Sequence, residues 1–472
     1  MTNYMRTIAL ALLLLGWPLC DRAVAQSTED NSVFDFSLPG ARSRGIGGAF
    51  VAIADDATSV YSNPAGLSGL FRPEVSIEIR HWRLTSRVVN EGHAFGPPSN
   101  IGVDTIAGVR DRATDSRFAG VSFLSLAYPR ERWSVGVFSH QLARYERDRQ
   151  TNGAFFDCRG GFRGPNAMPP FCEQSRLDGV DRLFPADQSF DLSIRSTGAA
   201  VAVKPTTRLS VGVAAQLFHF EFDASNTVYA ARGPLKFAAP DRSPGNVELI
   251  GRQDGDDYAL GVNAGVLWEF ISRWTVGGTF RQGPRFRYRA RTTTGPATLG
   301  TPGVTFVDEP NSPFKVPDTW AVGVAFRPTI YWRIGFEYDR IQYQQLFDQT
   351  ENTATQADDP EGRLAVERIT IDNSNQLRFG VEYSRPVFEE RGLLSFRGGA
   401  WYDPLHLPYF RVDDPATGYP APGWALLFPK RDGEMHVSGG VGFATQRHLQ
   451  LDVAFDHSRS AGTLAASAIW RF

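Results

Sequence analysis

From Pro73 onward the dominant period of the apolar residues is two, and this limits the fold more than any other feature. In "LRFGVEYS", Leu377, Phe379, Val381 and Tyr383 share one face, with Arg378, Gly380, Glu382 and Ser384 on the other. "LQLDVAFDHS" sets Leu449, Leu451, Val453 and Phe455 against Gln450, Asp452, Ala454 and Asp456. "YALGVNAGVLWEF" sets Tyr258, Leu260, Val262, Ala264, Val266, Trp268 and Phe270 opposite Gly261, Asn263, Gly265 and Glu269. The helical stripe is absent from these segments. They read as strands of about ten residues, the length that crosses a bilayer at a tilt.

One-sided strands also build soluble sandwiches, so the connections have to discriminate. Strands are predicted near 73–87, 116–128, 132–145, 189–203, 207–223, 256–270, 272–289, 316–327, 330–344, 373–387, 391–402, 434–446, 447–458 and 463–472. Short turns fall at Pro129 to Glu131, Pro205-Thr206, Ile271, Pro328-Thr329, Phe388 to Glu390 and around Gln446. They alternate with long joints at 88–115, 145–188, 224–255, 290–315, 345–372 and 403–433. Short inner turns and long outer loops are the asymmetry of bacterial outer-membrane barrels, and fourteen strands meet their even count. Closure follows from hydrogen bonding, because lipid offers an open sheet edge no partner. The fold class is therefore all-β, a transmembrane antiparallel barrel over 73–472.

Several details agree. "RWSVGV", "RLSVGV", "RWTVGG" and "WRIGFE" begin strands alike, placing Trp133, Trp274 and Trp332 at one periplasmic level. The chain ends "LAASAIWRF", with Leu464, Ala466, Ala468, Trp470 and Phe472 in phase. A terminal strand ending in phenylalanine resembles the signal read by the barrel-assembly machinery, which makes that machinery a partner through Phe472. On the inner face, many small glycines are expected to leave volume in the lumen.

At the other end, Arg6, the apolar run from Ile8 to Leu15 and Ala23-Val24-Ala25 form a secretory signal peptide over 1–25. Cys20 leaves with it. Cys158 and Cys172 remain in a Gly/Pro-rich loop, where an oxidising compartment favours a disulfide, two free thiols being the alternative. Net charge is −2, so nucleic acid is not an expected partner. No H-E-x-x-H pair, G-x-S-x-G elbow or dinucleotide fingerprint is present. No cofactor, metal or enzymatic activity is expected. Asp254, Asp256 and Asp257 read as a solvated acidic outer loop rather than a calcium site.

Residues 26–72 precede the barrel, and a lumen of this strand count needs either water or a plug. Asp55 or Asp56 can cap a short turn through Tyr61, and Asn63-Pro64 reads as a second helix start. Gly45, Gly47 and Gly48 allow tight reversals. Inward charges such as Arg333, Glu337, Asp339, Arg378, Glu382, Asp452 and Asp456 are expected to hold the plug.

The stretch "GARSRGIGGAFVAIADDATSVYSNPAGL" resembles the N-terminal hatch of the FadL family, outer-membrane transporters of long-chain fatty acids and other hydrophobic compounds. Asn63-Pro64-Ala65 matches the family's NPA motif, and "KVPDTWAVGVAFRPT" and "FRGGAWYDP" are similar to its later strands. The resemblance implies passive uptake through a plugged barrel in the bacterial outer membrane, with lateral release where the third strand, Arg132 to Tyr145, kinks. It implies that Phe34, Phe36 and Asn63-Pro64-Ala65 flank the ligand path. Phe155, Phe156, Phe162 and Phe171 are candidates for an apolar capture surface or for packing under the loop. Arg333, Arg378 and Arg397 are candidate partners for a ligand carboxylate, with structural pairing to inward acids as the alternative. The expected partners are a fatty-acid-like molecule and outer-membrane lipid or lipopolysaccharide, and the expected state is a monomer. The competing reading is a FadL-like barrel serving as a binding or assembly partner in protein secretion.

Overall fold

The computed structural model describes Phe34 and residues 36–94, 96–157, 179–182, 185–231, 233–294, 306–346, 369–389, 391–404, 406–410, 430, 432–446 and 448–472. Fourteen staves form the wall: β1 (Glu74–His93), β2 (Gly108–Pro129), β3 (Trp133–Thr151), β4 (Ala186–Val203), β5 (Leu209–Tyr229), β6 (Val247–Ile271), β7 (Trp274–Arg281 and Arg285–Thr294), β8 (Phe306–Lys315 and Thr319–Phe326), β9 (Trp332–Ile341), β10 (Ser374–Val387), β11 (Gly392–Asp403), β12 (Glu434–Thr445), β13 (Leu449–His457) and β14 (Ala461–Arg471). Each pairs antiparallel with its neighbours, and β14 closes the ring on β1 from Glu74↔Arg471 to Leu84↔Ala461.

Burial alternates as the sequence requires. Ile79, Val137, Val213, Leu260, Phe336, Val453 and Leu464 are exposed on the outer face. Trp133, Trp274 and Trp332 each open a strand at the periplasmic rim, where Trp268, Trp470 and Phe472 join them. The ladder extends beyond the predicted strands: β1 reaches His93, β2 starts at Gly108, and β3 to β8 rise into stretches expected to be loops. Above the lipid both faces can be polar, so the apolar period fades while the ladder continues. For the same reason Asp254, Asp256 and Asp257 lie within β6 rather than in a loop, facing Arg291, His219 and the backbone of Arg287. One predicted strand, 272–289, is also broken, and the predicted strand 316–327 begins at the same break. β7 and β8 bend together at Gln282 to Pro284 and Val316 to Asp318, where two prolines supply no N–H and Gly283 N donates to Asp318 Oδ1 at 2.8 Å.

Inside the lower half sits the hatch, with helix α1 (Ala41–Gly45), helix α2 (Ser59–Ser62) and a 3₁₀ turn at Pro64–Gly69. Asn63 caps that turn by accepting from Ala65 N at 3.2 Å, with Pro64 in the first turn, as the sequence predicted. Between the two candidate caps, Asp56 accepts from Thr58 N at 3.0 Å, whereas Asp55 turns to arginines.

The inward glycines do not leave the bore empty. They are the seat of the hatch. A Cβ built on Gly380 would lie 2.1 Å from the Ile46 carbonyl oxygen, and one on Gly399 2.3 Å from Gly47 N. On Gly335 it would meet Ala49 O at 2.6 Å, on Gly277 Val51 O at 2.5 Å, and on Gly212 the Pro64 carbonyl carbon at 2.4 Å. Gly380 pairs directly with both Gly335 and Gly399, Gly277 with Gly323, and Gly212 with Gly265. The hatch backbone therefore lies on the wall backbone along a belt of glycines. Its course starts at Glu78 of β1 and Ser467 of β14, then passes β12 down to β7 by Ala52. It crosses to β1 and β2 at Ala57 and covers β3, β5 and β6 with Val60 to Leu67.

Candidate functional site

The hatch is clasped by a buried ion network. Arg42 holds Glu382 of β10 through both oxygens, at 2.8 and 2.9 Å, and reaches Asp55 at 2.6 Å and Asp56 at 3.2 Å. Arg397 joins the same Glu382 at 2.7 Å and Asp452 at 2.8 Å. Arg333 pairs with Asp55 and lies 3.8 Å from Glu382. Three arginines thus meet four carboxylates, so every carboxylate touches an arginine and one negative charge is in excess. Glu337 accepts from Val51 N at 2.7 Å, and Asn63 Nδ2 donates to Val51 O at 2.8 Å and to Val266 O at 3.1 Å. Arg333 and Arg397, two of the candidate carboxylate partners, are committed to this clasp.

Arg378 stands one level higher. It pairs with Asp339 at 2.5 Å and donates to Gly47 O at 3.3 Å. Its guanidinium lies 4.2 Å from the Trp401 ring centre, and His436 stacks on that ring at 3.8 Å. Trp401 and His436 both bond Asp456, at 2.8 and 2.7 Å. Asp456 therefore braces this collar, and the charge of Arg44 in the hatch acts on it as well. A cavity of about 70 Å³ starts at Arg378, Trp401 and His436, passes Phe34, Phe36 and Tyr343, and ends at Leu84, Ala143 and Arg144.

Above the hatch the lumen turns apolar. Phe190, Leu192 and Ile194 of β4, Phe218, Phe220 and Phe222 of β5, Phe286 of β7 and Phe314 of β8 form one buried cluster. Phe34 enters it, 6.1 Å from Phe314 and 5.5 Å from Phe36, and Phe36 lies 6.0 Å from Tyr343. Leu142, Ala143 and Tyr145 of β3 belong to the same cluster.

That end of the cluster meets a gap in the wall. On the β4 side, Gln141 pairs with Arg195 and Ala143 with Ile194, so Leu142 is an extra residue that bends β3. Gln141 fixes the bend: its Nε2 donates to Ala143 O at 2.6 Å and Ile194 O at 3.2 Å, and its Oε1 accepts from Arg195 at 3.0 Å. On the β2 side, pairing stops at Phe123↔His140. Higher up, Ser116 Oγ donates to Glu146 O at 2.8 Å, so a side chain bridges strands that have no ladder between them there. The bend lies within the predicted third strand.

The aromatic lining was missed in the sequence, although "QLFHFEF" carries its signal. Leu217 continues the outward phase of Val211 and Val213, whereas Phe218, Phe220 and Phe222 take the inward phase of Ser210, Gly212 and Ala214. Phe155 is buried and stacks on Phe237 at 5.8 Å. Phe162, Phe171, the side chain of Phe156, Cys158, Cys172 and the signal peptide lie outside the described residues.

A model of the outer membrane protein transport protein family (OMPP1/FadL/TodX) matches residues 188–462. Among solved structures, a Pseudomonas aeruginosa FadL homologue aligns with a TM-score of 0.59 at 10% identity, covering 93% of this chain and 100% of that one. The Ralstonia pickettii toluene transporter TbuX gives 0.51 at 14% identity, over 93% and 100%. The Pseudomonas putida toluene transporter TodX gives 0.50 at 13%, over 93% and 98%. Identities this low establish the fold. No curated protein matches the chain. A closed fourteen-stave wall, its inner plug and the family match agree: the chain belongs to the OMPP1/FadL/TodX family of bacterial outer-membrane transport proteins and is not an enzyme.

Proposed function

We propose that the protein takes up fatty-acid-like or aromatic hydrophobic molecules by passive diffusion and releases them sideways through the β2–β3 gap. The carrying observation is the continuous apolar lining from Phe34 through Phe220 to Leu142 and Ala143, ending where the ladder stops. An oily molecule gains by partitioning directly into the bilayer rather than crossing water. The toluene transporters TbuX and TodX, with which this chain shares its fold, support the monoaromatic end of the range. Of the three candidate arginines, Arg378 alone lines the cavity, held by Asp339 with Asp403 and Asp456 beside it, so an anionic head would have to exchange with a carboxylate there.

The cavity of about 70 Å³ is well below the roughly 300 Å³ of a small-molecule pocket. Phe34 and Phe36 therefore have to yield for a ligand to pass. A role as a secretion partner would rest on an outward docking surface and would leave this inner lining without a use. Placing a large ring in the gap tests the reading. Ala143→Trp should abolish cellular uptake of radiolabelled oleate and toluene while the barrel still shows heat-modifiable gel mobility, and Ala143→Leu should reduce uptake. Unchanged uptake in both folded variants would overturn lateral release.

A further inference from the structure

The wall carries a second interruption, between β6 and β7, and it has a different construction. Pairing joins Leu249–Asp254 to Arg289–Thr294 and, lower down, Asn263–Ile271 to Trp274–Arg281. Between these zones, residues 255–262 of β6 and 282–288 of β7 have no ladder partners across the seam. β7 stays paired to β8 from Arg285↔Lys315 to Tyr288↔Ser312, so above the bend shared at Gln282 to Pro284 the break belongs to the β6–β7 seam alone. Hydrogen bonds outside the ladder cross the seam. Gln282 N donates to Val262 O at 2.8 Å, and Arg287 N to the Asp257 carboxylate at 2.8 Å. Pro284 brings no N–H.

The level matters. Val262 and Leu260 face outward with the lipid-facing residues, and Leu260 is 76% exposed, while Asp256 above them marks the water side. Backbone left unpaired at a lipid margin is costly, so a plain structural seam would be zipped here. Directly behind it stand rings. A Cβ on Gly261 would lie 2.8 Å from Phe218 Cε2, and one on Gly255 2.9 Å from Phe220 Cε1. Phe286 stacks on Phe220 at 4.7 Å. The partition between lipid and the aromatic cluster is thus a set of side-chain rings resting on glycine backbone.

We propose that the β6–β7 seam is a second lateral port, through which apolar molecules dissolved in the outer leaflet reach the aromatic cluster. The proposal rests on the uptake reading above and adds a direct route from lipid to lumen. Phe218, Phe220 and Phe286 form its movable door, and Leu260 and Tyr258 form its lipid-side lip.

The test uses the full protein in liposomes charged with a diazirine-bearing alkane, irradiated and mapped by mass spectrometry. Adducts should appear on Leu260 outside and on Phe220 and Phe286 behind the seam. They should persist in Ala143→Trp, which fills the other gap. Leu260→Arg puts a charge on the lip and should lower the inner adducts about fivefold. Leu377→Arg, the same change on the lipid face of β10, should leave them unchanged. Inner adducts that vanish in Ala143→Trp and survive in Leu260→Arg would overturn the port, as would their absence in every protein. Cellular uptake by Ala143→Trp is scored separately, so loss of the port with uptake still blocked by that variant removes this inference alone.

Discussion

A single stave, β5, divides into two regions of opposite design. From Leu209 to Gln216 its outer face is Val211, Val213 and Ala215, and its inner face is Ser210, Gly212, Ala214 and Gln216. From Leu217 upward the outer face becomes His219, Glu221 and Asp223, while the inner face becomes Phe218, Phe220 and Phe222. β4 makes the same exchange, from Val203, Val201 and outward neighbours below to Arg195 and Asp191 above, with Ile194, Leu192 and Phe190 turned inward. The backbone phase never changes; only the solvent on each side does. Below, lipid is outside and the hatch inside. Above, water is outside, except at the lipid margin beside Leu260 and Val262, and apolar rings fill the inside. The lower ring is thus a seat and the upper ring a lining, built on one ladder.

The largest expected effect breaks the seat. Gly380→Val would drive a side chain against the Ile46 carbonyl, with backbone on both sides and no room to yield. Overpacking costs about 1–3 kcal/mol even where neighbours can shift. The hatch should leave the wall, and planar bilayers should record ion conductance through a bore that is otherwise plugged.

The second effect breaks the lining and leaves the seat alone. Phe220 is fully buried, and removing such a ring costs about 3–5 kcal/mol of packing. Phe220→Ala should lower hydrophobic uptake while bilayer conductance stays at the native level. A leak from this variant would mean that the two rings are not independent.

The smallest effect sharpens the comparison through pH. Burial alone would raise the Asp55 carboxyl, but Arg333 and Arg42 outweigh it and hold the group at about 2. A folded value below the usual range means that its hold on the hatch is fully present above about pH 4 and fades as pH falls towards 2. Loss of the Asp55 contact alone should therefore raise conductance only below about pH 3. A rise already at pH 5 would place the control of the hatch elsewhere.

The barrel was legible because lipid enforces alternation: each predicted strand has its counterpart in the wall, and Trp133, Trp274 and Trp332 lie where their spacing put them. The cap at Asn63 was legible because it is local chemistry. Three things were not. Strand height above the membrane is hidden because a ladder between two polar faces leaves no apolar trace, as at Arg110 to Asp115 of β2. The role of the glycines is hidden because an absent side chain looks the same whether it faces water or another backbone. The gaps are hidden from the residues alone because the bulge at Leu142 and the break at Pro284 are matters of register between strands far apart in sequence, the kink of the third strand being expected only through the family resemblance. The phase exchange in "QLFHFEF" was visible in principle, since its rings alternate on the face opposite to Val211 and Val213.

The course of the hatch has a consequence for how such a molecule is made. A stopper in a bottle touches one rim and can be drawn straight out. Residues 40–67 instead lie like a lining sewn to staves from both ends of the chain, from Glu78 near the beginning to Ser467 near the end. Such a lining completes its contacts only when the first and last staves stand side by side, because Gly40 and Ala41 bond the paired residues Glu78 and Ser467. The union of β14 with β1 and the seating of the hatch are therefore coupled.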